Sequence, residues 1–222
     1  MDITEGQMKR IRTEVVVGLL AIAACAAIAG GPAGALAATA AGDCRSTAAD
    51  LREKLESVTE AVIDGRTSAV PGASDRAAAW WKAHRAAVGA HAEADTMVRR
   101  MTSAARRHRS IEAARQAVQL SSESLKWCGG SLTTADRLMV VDLSGMAGWL
   151  RARGAHLDWP DHTTAASDTL AAALERHNHA DVAGRLRRSV AATLAAPPSA
   201  HGDVAPAKKL LDLVDEVEKL LH

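Results

Sequence analysis

An apolar run from Val15 to Ala41, free of charged side chains and preceded by Lys9, Arg10 and Arg12, fixes where a folded body of this chain can begin. Val15 to Ile28 reads as an apolar helix, Gly30-Gly31-Pro32 ends it, and small residues including Ala35-Leu36-Ala37 follow. Basic, apolar and small-residue regions in that order make up a secretory signal, here cleaved after Ala37.

Two further readings stay open. Left uncleaved, the run is about long enough to span a bilayer with its basic flank on the cytoplasmic side. Ile22-Ala23-Ala24-Cys25 also has the form of a bacterial lipobox, in which Cys25 would carry the lipid. All three readings place the body outside the cytoplasm, secreted or tethered. The expected plan is residues 1–37 as signal or membrane anchor and 38–222 as an exported helical domain, with 198–206 as the linker to a terminal helix.

Removing the first 37 residues takes away Cys25 and leaves Cys44 and Cys128 as an even pair. In an oxidising compartment these are expected to form a disulfide, worth about 4 kcal/mol in the chain-entropy treatment of so long a loop. Two separate thiols are the alternative. The chain has 27 basic and 26 acidic side chains, and three of each lie in the first 37 residues, so the body is near neutral. That balance points to no nucleic acid.

The body has no Phe and no Tyr, so its large core residues must be Leu, Val, Ile, Met and the five Trp among many Ala. Ala is the best helix former and strand-favouring residues are sparse, so the fold class is all-α, a bundle of about six helices. The first helix is expected from Ser46 to Asp64, with Thr47 and Asp50 as its N-cap signal and Leu51, Leu55, Val58 and Val62 on one face. A long helical tract follows from Ser74-Asp75 to Lys126, with Gly89 as its one internal breaker. Thr133 and Asp136 start a helix running up to Gly154. The segment around Leu170 to Leu194 forms two helices, or one bent at His177-Asn178-His179, stopped by Pro197-Pro198. Leu210, Leu213, Val214, Val217, Leu220 and Leu221 mark a terminal amphipathic helix.

Three groups of residues are candidates for chemistry. Continuous helix over the long tract would put Trp80, His84, His91 and His108 on one apolar seam, able to line the bundle interior for a haem, a metal or an apolar molecule. His84 and His91, two turns apart, could not share one ion unaided. Second, His156, Asp158, Asp161 and His162 combine imidazole and carboxylate donors of the kind that bind zinc, with His177 and His179 close in sequence. Third, Arg99, Arg106 and Arg107 belong to an arginine-rich stretch suited to anionic lipid or an acidic polymer. Each group also has an ordinary structural reading, as core-edge histidines, loop and cap residues, and a solvated face. Nucleophile elbows, His-Glu-x-x-His and phosphate-binding glycine loops are missing, so no enzyme is indicated. The expected function is an exported, non-enzymatic interaction or scaffold protein of the cell envelope or extracellular space. The alternative is a small-ligand binder using the histidine-lined interior.

Overall fold

The computed structural model describes residues 32–89, 91–160 and 162–221. It is all-helical there, with eight α-helices: α1 (Pro32–Ile63), α2 (Val70–His84), α3 (Ala92–Arg106), α4 (Ser110–Ser124), α5 (Thr134–Arg151), α6 (Thr163–Arg176), α7 (Ala180–Ala195) and α8 (Ala205–Leu221). The lipobox and most of the apolar run lie outside the described residues, and Ala37 falls within α1. None of the described helices is long and apolar enough to cross a membrane.

Helix α1 starts at Pro32 and not at Ser46. Pro is tolerated in a first helical turn because its missing N–H has no helical partner there, and the Ala-rich stretch behind it propagates a helix well. The predicted face holds: Leu51, Leu55 and Val58 are fully buried, with Val62 beside them.

The single long tract is a correction. Three helices occupy it, because the chain turns twice where the sequence shows one glycine. At the first break Gly89 adopts φ +89°, a region open to glycine. At the second, His108 takes φ +56°, and the bonds from Arg109 N–H to Ala104 O and His108 N–H to Ala105 O close a Schellman motif. The same motif ends α5 at Gly154 and α6 at Asn178, so α6 and α7 are two helices.

Two hydrophobic cores result, and α5 belongs to both. One is built by α1 to α4 with Leu143, Met146, Ala147, Trp149 and Leu150 of α5, Ala155 and Leu157 just after it, and Ala207 and Leu211 of α8. The other joins Leu138, Val140 and Val141 of α5 to α6, α7 and α8. Every residue from Val140 to Leu150 is buried. Close approach on that scale needs the two glycines of α5: a Cβ at Gly145 would lie 2.7 Å from Leu211 Cδ2, and one at Gly148 would lie 2.5 Å from Thr193 Cγ2. The segment before α8 is docked on the end of α5, through Ser199 N–H to Arg151 O and Gly202 N–H to Ala152 O.

The N-terminal end of α5 is tied to α1 and α4. Thr133 and Asp136 form the expected cap as a full capping box. Asp136 also meets Arg52 of α1 at 3.4 Å, and the almost fully buried Arg52 reaches Ser124 of α4. Burial lowers the Arg52 pKa and Asp136 opposes that shift. Beside them Cys44 and Cys128 sit at disulfide distance, Sγ to Sγ 2.10 Å across 84 residues of sequence. Arg45 donates to the carbonyls of Gly129 and Ser131, closing the turn between α4 and α5.

Candidate functional site

At the end of the bundle that holds the Cys44–Cys128 pair, the close of α2, the start of α3 and the close of α4 converge. Their meeting point is aromatic. Trp127, just past α4, has the His91 ring stacked on it at 4.5 Å and 13°, and Trp81 of α2 tilted against it at 5.4 Å. Hydrogen bonds hold two of these rings, His91 and Trp81, in place. His91 Nε2 lies 2.9 Å from Val88 O, and since a carbonyl can only accept, that nitrogen carries the proton. Trp81 Nε1 donates to Asp95 Oδ1 at 2.7 Å, while Arg85 donates to both oxygens of the same carboxylate.

Beside these rings lies an open groove of about 310 Å³ between the start of α3 and the end of α4. Leu120, Met97 and Trp127 supply its apolar surface, and His91, Glu93 and Glu123 its polar groups. Glu93 is exposed in the first turn of α3, where the helix dipole favours a negative charge. Glu123 is half-buried and accepts from Lys126 at 3.5 Å. A slot with an apolar floor and two carboxylates can receive an alkyl stem ending in a cation.

The expected histidine seam is divided. His91 lines the groove, whereas His84 is exposed at the end of α2, stacked on Trp80 at 4.4 Å and bonded to its carbonyl. His108 is exposed in the α3–α4 turn at the other end of α3. The three therefore do not line a common interior, because the tract that would have aligned them is three helices. In the second group His156, Asp158 and His162 are exposed, and His162 serves as the N-cap residue of α6 with φ +65°. Asp161 lies outside the described residues. Among those described, no group of three or more His, Cys, Asp or Glu is placed to hold a metal ion. Arg99, Arg106 and Arg107 are exposed, with Arg106 bonded to Asp75 of α2 at 3.0 Å and Arg99 to Thr96.

Sequence reasoning did not find the Trp81–Asp95–Arg85 bonds or the Trp127 wall. A weak signal was available, since Trp80, Trp81, His84, His91 and Trp127 all fall near the ends of helical segments. No family model, curated protein or solved structure matches the chain.

The hydrogen bond from Trp81, helped by Arg85, holds the Asp95 carboxyl below its ordinary pKa. Arg115, then Gln116, does the same for Glu112. Both carboxylates thus bind protons less readily in the folded chain than in the unfolded one, so their stabilisation is present above pH ~4 and is lost as pH falls through the folded values. Urea midpoints should drop below pH ~4, and the Asp95→Asn variant should show a smaller drop than the parent protein. An equal drop in the two would show that Asp95 contributes nothing to the acid transition.

Proposed function

We propose that this chain is an exported, non-enzymatic helical interaction protein that receives a lysine or arginine side chain of a protein partner in the His91–Trp127 groove. The observation that carries the reading is the groove itself, an apolar slot flanked by Glu93 and Glu123 and walled by an indole fixed between two other rings. A long basic side chain matches both parts of it. The stem covers Met97, Leu120 and the Trp127 edge, and the head group meets the carboxylates. A ligand inside the bundle drew its support from three histidines on one stripe, and with that stripe divided the surface groove is the better supported site. Exposed carboxylates bind weakly on their own, so the apolar contacts must supply much of the affinity.

Two peptides of one apolar sequence, differing only by a central lysine or glutamate, test the groove. Titrated against isotope-labelled protein, the lysine peptide should shift the Trp127 indole N–H resonance, and the Glu93→Gln/Glu123→Gln variant should lose that response. Equal shifts from both peptides, or none from either, would remove the reading.

Export rests on Lys9 to Ala41, and the mature N-terminus is the measurement that decides it. Protein from its native source should begin at Ala38. An acylated Cys25 or an intact Met1 would make the chain a tethered envelope protein, and a Met1 protein found in the cytosol would contradict export.

A further inference from the structure

The other end of the bundle has the opposite chemistry. Helices α1 and α4 run antiparallel, as Cys44 meets Cys128 and Arg52 meets Ser124. The turn that starts α4 therefore lies about 22 Å from the disulfide end, the length of its 15 residues at ~1.5 Å each. Asp75 near the start of α2 joins this end through its bond to Arg106. The segment following α5 joins it as well, since Arg115 donates to His156 O.

Arginine dominates there. Arg106, Arg107, His108 and Arg109 are consecutive and exposed, with Arg76 of α2 and Arg100 of α3 also exposed nearby in the fold. Three acids of this end are already engaged: Asp64 by Arg66 at 2.9 Å, Asp75 by Arg106 at 3.0 Å, and Glu112 by Arg115 at 2.6 Å. Among the described residues Arg76, Arg107 and Arg109 have no ion pair. The loop after α5 adds Arg153 and Asp158, which leave the sign unchanged.

We propose that this arginine end docks a flexible, phosphate-bearing polymer. Guanidinium forks match phosphate oxygens bidentately, and several at one end of the bundle engage successive groups of a chain that can bend to meet them. A bilayer fits less well for two reasons. Residues Arg106 to Ser110 offer no large apolar side chain to enter an acyl boundary. In addition, the run read as an anchor, Val15 to Ala41, is joined to the body by the part of α1 that leads into Cys44, at the end away from the arginines. Duplex DNA fits poorly as well. The arginines are spread over two helix ends and a turn, with no single helix face to enter a groove. The tryptophans at this end, Trp149 and Trp159, already carry Arg153 and Arg151 over their rings.

Binding of the full body to long-chain inorganic polyphosphate, measured by fluorescence anisotropy over a salt series, tests this. Polyphosphate should bind at low salt, and the Arg107→Ala/Arg109→Ala variant should bind about tenfold more weakly. Its log–log salt slope should fall by about 1.4, two contacts at ~0.7 each for a flexible single chain. The Arg187→Ala/Arg188→Ala variant, which removes the same charge from exposed positions of α7, should match the parent protein. Equal weakening in the two variants would reduce the effect to net charge and overturn the site. So would tighter binding to phosphatidylglycerol vesicles or to duplex DNA than to polyphosphate. The Arg107→Lys/Arg109→Lys variant keeps the charge, and an affinity between parent and alanine variant is the result expected of bidentate contact.

Discussion

Burial of α5 on both sides is the constraint on which the rest of the structure depends. A helix at the edge of a bundle needs one apolar stripe, but this one serves two cores and is closed to solvent from Val140 to Leu150. Ordinary side chains at positions 145 and 148 would hold its neighbours off, and glycine there brings Leu211 and Thr193 against the helix backbone. The cost is lower helix propensity at two interior positions, about 1 kcal/mol each. Contact with two cores offsets it.

The placement of the surfaces follows from that wall. Asp136, three residues into α5, is at once the capping-box partner of Thr133 and the counter-ion of Arg52, so the start of α5 is fixed against α1 and α4 near the disulfide pair. Antiparallel packing of α3 and α4 then divides their ends. One end collects Trp81, His91, Trp127 and two glutamates, and the other collects the arginines of the α3–α4 turn. A chain that is near neutral overall in this way carries a groove flanked by Glu93 and Glu123 at one end and exposed arginines at the other.

Much of the fold was legible where a single physical rule governs several residues together. Periodicity placed Leu51, Leu55 and Val58 inside, as well as Leu210, Leu213, Val214 and Val217 of the terminal helix. Thr133 and Asp136 announced a cap, and the cysteine count singled out the pair that stands at disulfide distance. The failures came where the chain departs from local preference. His108 occupies a left-handed conformation that costs a non-glycine residue about 1–2 kcal/mol, with two reversed hydrogen bonds and the packing of α3 on α4 to offset it. Nothing in Arg106-Arg107-His108-Arg109 signals that turn, so three helices read as one and their histidines as a seam. Partners distant in sequence, Arg52 with Asp136 and Trp127 with His91, were invisible for the same reason: only the turns bring them together.

Native-state hydrogen exchange of the oxidised protein tests most directly whether α5 is the common wall. Amides from Val140 to Leu150 should exchange only through global unfolding, and the slowest amides of α1, α4, α6 and α7 should share that same free energy. Two separate free energies, one for α1 to α4 and another for α6 to α8, with α5 following the less stable of them, would contradict the account.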